Sequence, residues 1–163
     1  MRSTLQICVV AVAAFTACRP AYGPPASRFN VADSRYGAQL LRGFYEVETR
    51  PNRWAAREFS VALRPPQGSE RKGARLWLRF FVPGYQIEQI GAMTLHADVD
   101  GYQLQPQTFS EGGFHDFSRA VPPGIFDTSM VPVRFAFDKA VEPSPAGGRE
   151  LGAVVSDVGL LPE

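Results

Sequence analysis

Apolar residues recur at every second position in four separate stretches of this 163-residue chain, and that period decides what it can fold into. Phe59, Val61 and Leu63 share one strand face. So do Leu76, Leu78, Phe80 and Val82, then Met93, Leu95, Ala97 and Val99, and finally Val131, Val133, Phe135 and Phe137. Successive side chains of a strand point to opposite sides, so each set reads as the buried face of a half-buried strand. Weaker strands are expected over Phe44 to Thr49, Tyr102 to Leu104, Phe114 to Val121 and Gly152 to Leu160. Between them stand Pro65-Pro66-Gln67-Gly68, Pro83-Gly84, Asp100-Gly101, Glu111-Gly112-Gly113, Pro122-Pro123-Gly124 and Pro143 to Gly148, which punctuate the chain as turns. After the first eighteen residues no breaker-free stretch holds helical spacing for three turns. One short helix is expected over Asp33 to Leu41, capped by Asp33 and weakened by Gly37. Short strands at this spacing predict an all-β fold, an antiparallel β-sandwich of jelly-roll type.

The first eighteen residues read as an address. Arg2 supplies a positive start, Leu5 to Phe15 is almost wholly apolar, and Phe15-Thr16-Ala17-Cys18 sets small residues before a cysteine. The run is shorter than the ~20 residues a membrane-crossing helix needs, so residues 1–17 read as a cleaved signal. This leader resembles the lipobox signal of bacterial lipoproteins, with Phe15 in place of the usual leucine. The resemblance implies diacylation of Cys18, cleavage before it, N-acylation with palmitate, and anchoring to a bacterial membrane in the cell envelope. Arg19 in place of aspartate resembles lipoproteins sent onward to an outer membrane where there is one.

Residues 18–36 contain Pro20, Gly23, Pro24 and Pro25 and no sustained periodicity, and read as a tether at ~3 Å per residue. Residues 37–163 then form the single sandwich domain. Both cysteines, Cys8 and Cys18, lie in the leader or at its end, so the domain is expected to fold without disulfide, metal or cofactor. The leader removes only Arg2 from the 17 basic residues, leaving 16 against 16 acidic ones, a balance that argues against a nucleic-acid partner.

Further along, Gly43-Phe44-Tyr45-Glu46-Val47-Glu48, Arg53-Trp54, the strand at Ala74 to Phe80, Asp98-Val99-Asp100-Gly101 and Arg149-Glu150-Leu151-Gly152 follow one another. This order resembles small jelly-roll modules found beside bacterial glycosyltransferases and in stand-alone surface proteins. The resemblance implies a carbohydrate-associated β-sandwich without catalytic residues. Arg149 and Glu150 are expected to form a structural ion pair bracing the last strand.

Catalytic chemistry has little to stand on. Ser110, His115 and Asp116 are close in sequence, but adjacent His and Asp on a strand project to opposite faces, which spoils a triad. There is no Gly-x-Ser-x-Gly elbow, phosphate loop, dinucleotide glycine pattern or His-Glu-x-x-His, so the chain reads as no enzyme. His96 points away from the face of Leu95 and Ala97. Asp98-Val99-Asp100-Gly101 begins like a calcium loop, but its continuation lacks carboxylates, and Asp-Gly reads instead as the turn of a hairpin. The more informative face is Arg75, Trp77, Arg79 and Phe81, opposite Leu76, Leu78, Phe80 and Val82. Planar aromatics beside planar donors suit a sugar ring or a protein partner, with Arg75 or Arg79 stacking to hold Trp77 flat. The competing account has this row covered by the N-terminal segment, with arginine stems lying along Trp77. Trp54 is either a rim platform or a plug at one end of the sandwich. The sequence thus points to a lipid-anchored, non-catalytic envelope protein whose ligand or partner face holds Trp77, Arg75, Arg79 and Trp54. Its partner is a glycan or another envelope component; the alternative is a structural lipoprotein subunit docking on a membrane protein assembly.

Overall fold

The period-two stretches are strands in the computed structural model, which describes residues 23–48, 52–145 and 148–163. In chain order the elements are β1 (Arg28–Asn30), a 3-10 helix (Ser34–Gln39), β2 (Leu40–Phe44), β3 (Arg53–Leu63), α1 (Ser69–Lys72), β4 (Ala74–Val82), α2 (Gly84–Ile90), β5 (Met93–Val99), β6 (Tyr102–Gln103), β7 (Gln107–Phe109), β8 (Gly113–Val121), β9 (Val131–Phe137) and β10 (Ala153–Pro162). The strands pair antiparallel in the order β6-β5-β9-β3-β10-β4-β8, with β1 beside β10, β2 beside β3 and β7 beside β5.

β3 turns this sheet into two layers. Its residues Glu58 to Leu63 pair with β9, whereas Arg53 to Ala55 pair with the start of β10, so one strand belongs to both. One layer is β2, β3, β9 and β5; the other is β8, β4, β10 and β1. Between them lie the four alternating sets, none of whose members is more than 3% exposed, as the period requires. Phe80 of β4 meets Phe109 at 5.0 Å and Phe137 at 5.6 Å from the facing layer, and Phe59 stacks on Phe135 at 5.0 Å. The molecule is an antiparallel β-sandwich of jelly-roll type.

The N-terminal boundary differs from the expected one. Residues 28–36 belong to the domain and not to a tether: Arg28, Phe29 and Asn30 pair with Gly159, Val158 and Asp157, and Phe29 and Val31 are buried in the core. Phe29-Asn30-Val31 is too short an alternation to stand out behind three prolines, and only its pairing with β10 makes it a strand. The buried Gln39 side chain fastens the segment further. Its Oε1 accepts from Ala26 N–H at 2.8 Å, and its Nε2 donates to the carbonyls of Ala26 and Ala62 at 3.0 and 2.7 Å. The signal reading, Cys18 and the tether up to residue 22 lie outside the described residues.

The short helix is present, with the Asp33 carboxylate accepting from Arg35 N–H at 3.0 Å, but it winds as a 3-10 helix. The strand expected from Phe44 lies instead over Leu40–Phe44, interrupted around Gly43. There the backbone has φ +79°, and a Cβ would stand 2.1 Å from the Glu58 carbonyl oxygen, so only glycine fits. The four residues of α1 and seven of α2 are too few for a periodic signal. Asp100 (φ 49°) and Gly101 (φ 86°) close the expected hairpin, pairing Asp98 with Gln103 and Val99 with Tyr102.

Candidate functional site

Burial of Leu76, Leu78, Phe80 and Val82 turns Arg75, Trp77, Arg79 and Phe81 to the outer face of their layer. Register then supplies their neighbours. Trp77 stands between Ser118 and Gly159, Arg79 between Asp116 and Asp157, and Phe81 between Phe114 and Val154. Beyond β10, Val154 pairs with Trp54 and Gly159 with Arg28. The result is one apolar row, Phe114, Phe81, Val154 and Trp54, crossing four strands. A second row, Trp77, Gly159 and Arg28, lies four residues away along β4, roughly 13 Å at strand rise.

Trp77 is half-buried and engaged on two sides. Its indole N–H donates to Asp116 Oδ1 at 2.9 Å, and the guanidinium of Arg28 lies 4.4 Å from the ring centroid. Gly159 makes this possible, because a Cβ there would meet Arg28 Cβ at 2.7 Å and Cγ at 2.9 Å. The stacking cation is thus Arg28, from the segment expected to be tether, and not Arg75 or Arg79. Those two are committed sideways: Arg79 pairs with Asp116 at 3.3 Å and Arg75 with Glu163 at 3.0 Å.

Trp54 is on the outer face, half-buried, where it walls a cleft of about 190 Å³ with Glu48, Asn52 and Val154. Behind the cleft the Tyr45 hydroxyl donates to the Glu150 carbonyl at 2.7 Å, and Arg149 stacks 4.5 Å over the Tyr45 ring while pairing with Glu48. Glu150 Oε1 accepts from the Arg57 backbone N–H at 2.8 Å. Arg149 and Glu150 therefore brace this end through separate partners, Glu48 and Tyr45 for the one and the Arg57 N–H for the other. Burial holds the Tyr45 phenol above its usual range, the Glu150 charge adds to that, and Arg149 partly offsets it.

The register brings Trp54 onto the same face as Trp77, Arg75 and Arg79, a juxtaposition that alternation within one strand cannot reveal. It also brings to this face residues that sequence reasoning did not assign to it: Phe114, Val154, Arg28, Asp116 and Glu48. Among the described residues Phe114 is the most exposed of the large apolar side chains, at 70%, and it packs 5.0 Å from Phe81. Its place in the alternation of β8 makes it outward-facing, but only pairing sets it beside Phe81. The triad reading does not assemble: His115 turns inward against Phe109 at 4.8 Å, while Asp116 faces out. Among the described residues no group of three or more His, Cys, Asp or Glu is placed to hold a metal ion, and no helix is long and apolar enough to cross a membrane.

No family model matches the sequence, and no curated protein matches it either. Solved structures do resemble its shape. An acetyl xylan esterase, Est2A, from the rumen bacterium Butyrivibrio proteoclasticus aligns at TM-score 0.49 and 9% identity over 83% of this chain; the chain spans 32% of that protein. A family 35 carbohydrate-binding module from Clostridium thermocellum aligns at TM-score 0.48 and 6% identity, covering 82% of this chain and 97% of the module. Carbohydrate-binding module CBM36, in complex with calcium and xylotriose, aligns at TM-score 0.45 and 8% identity, covering 82% and 98%. At these scores and identities the likenesses say nothing of what this chain binds.

Proposed function

We propose that this protein is a non-catalytic, lipid-anchored module of a bacterial cell envelope that holds a glycan on the outer face of β8, β4, β10 and β3. The observation that carries this reading is the cleft at Trp54, where an indole adjoins a carboxylate and a carboxamide, Glu48 and Asn52, at the end of the Phe114, Phe81 and Val154 row. Aromatic faces stack on the apolar side of a sugar ring, and the polar pair exchanges hydrogen bonds with its hydroxyls. Trp77, with Arg28 over its ring, stands farther along the same face. The test is a glycan array on the full chain beside its Trp54→Ala variant. Binding by the parent that falls tenfold or more in the variant, with far-UV circular dichroism unchanged, supports the reading; equal binding by both overturns it.

The reading as a structural subunit draws on the rim of this row. Arg79 borders an apolar strip ending in the exposed Phe114, and Arg28 and Arg75 stand farther along the same face, a pattern that suits a protein partner. In that case Phe114→Ser abolishes co-purification with a membrane assembly, and the glycan array stays blank.

Anchoring through Cys18 rests on the lipobox. The Gly23 N–H already bonds the Arg35 carbonyl at 2.8 Å, so five residue steps lead from Cys18 to the docked chain, a reach of at most roughly 17 Å. The sandwich then sits close to the lipid surface. Cys18→Ser should release the protein from the membrane fraction and remove its lipid label; retention at the parent level contradicts the anchor.

A further inference from the structure

The opposite outer face, on β2, β3, β9 and β5, carries a trough of different chemistry. Pairing aligns Arg42 with Ser60, Ser60 with Arg134 and Arg134 with Asp98, a straight row across four strands. The next row holds Glu58, Ala136 and His96. Those on β3, β5 and β9 alternate with buried residues and so face out, and Arg42 of β2 lines the same depression as Ser60 and Arg134. Because Ser60 and Ala136 are small, the sheet surface dips there into two depressions of about 160 and 100 Å³ that share Asp98, Arg134 and Ala136.

The two arginines flank Ser60 with their backbones two strand spacings apart, roughly 9.5 Å, so both long side chains reach the space above its hydroxyl. Their donors are mostly unspent on strong partners. Arg42 Nη2 reaches Glu58 at 3.4 Å, and its side chain is 75% exposed. Arg134 Nε stands 3.7 Å from Asp98, beyond a hydrogen bond, while Asp98 Oδ1 accepts from the Gly101 N–H at 3.0 Å. The Arg42–Glu58 pair is exposed and the Arg134–Asp98 approach is long, so an incoming oxyanion displaces little, and the guanidinium forks fit a carboxylate bidentately. The two carboxylates balance the two guanidiniums, which disfavours a bare anion and suits one carried on a polyol.

We propose that this trough binds a sugar acid. Its carboxylate lies between Arg42 and Arg134 over the Ser60 hydroxyl, and a ring hydroxyl donates to Glu58. The site is separate from the aromatic row and stands or falls without it.

The test is isothermal titration calorimetry of the full chain with glucuronic acid, glucose and inorganic phosphate, repeated on Arg42→Gln/Arg134→Gln and on Trp54→Ala, with circular dichroism as a folding control. The expected result is millimolar or tighter binding of the uronic acid, none of glucose, a tenfold or greater loss in the folded double variant, and no change in Trp54→Ala. Should the double variant misfold, Ser60→Ala is titrated in its place, with a severalfold loss expected. Absence of uronic acid binding, equal binding of glucose, tighter binding of phosphate, or unchanged affinity in the folded double variant or in Ser60→Ala overturns the proposal.

Discussion

Trp77 shows how much a single side chain's surroundings outweigh its type. It stands on the outer face, yet it donates to Asp116 and carries Arg28 across its ring. A hydrogen bond to a partly exposed carboxylate and an exposed cation stack together amount to about 1–2 kcal/mol, so Trp77→Ala should cost that much in urea unfolding. Phe80→Ala, which empties a fully buried site, should cost about 3–5 kcal/mol in the same experiment. A Trp77→Ala cost as large as that of Phe80→Ala would make the indole a core residue and remove it from the face. Gly159→Val should cost about 1–3 kcal/mol by overpacking, since the new Cβ meets Arg28 near its backbone and not at its mobile end. Tyr45 gives a pH signature. Its folded phenol titrates above the unfolded value, so its contribution is complete below the unfolded value of about 10 and is lost as pH rises through the folded one. The melting temperature should therefore fall less steeply above pH 10 in Tyr45→Phe, and the tyrosinate absorbance titration should lose a component above pH 10. Alternation alone told that Trp77 faces away from the Leu76 set; nothing local could tell that Arg28 lies over it.

Among the elements, β1 departs most from its sequence. It is three residues long, yet it completes the edge of the layer beside β10 and brings Phe29 and Val31 into the core. Burial of two such side chains supplies roughly 3–6 kcal/mol at about 1.5–3 each. A chain beginning at Asp33 should be destabilised by that amount relative to one beginning at Gly23, measured by thermal or urea unfolding. Indistinguishable melting of the two would return residues 23–32 to the status of tether. The long strands β4, β5 and β9 were legible because each repeats its alternation four times between strong breakers. β1, β7 and the helices α1 and α2 were not, because three to seven residues are too few to display their period and only neighbours decide their conformation.

At the scale of the whole molecule, the last strand holds the sandwich closed. β10 pairs with β1, β3 and β4 at once, and its pairing with β3 joins the two layers. Its partners lie far back in sequence, as do Tyr45 and Glu150, which bond across 105 residues. Such non-local closure can form only after most of the chain is present. A chain ending at Gly152 should therefore lack a cooperative unfolding transition, and its tryptophan emission should resemble that of the urea-unfolded protein. A sharp transition in that truncated chain would show that the layers associate without β10.

The sequence by itself determined the class of fold, the four main strand faces, the Asp-Gly hairpin and the outward direction of Arg75, Trp77 and Arg79, because a side-chain period of two is a local property that each strand carries. Only the tertiary structure decided which of those outward residues are neighbours. Trp54 joins Phe81 through Val154, Arg28 reaches Trp77 across Gly159, and Arg42 lines up with Arg134 over Ser60. The physical reason is register: pairing between strands distant in sequence is fixed by the packing of their buried faces, and it places outer-face residues together that share no local pattern.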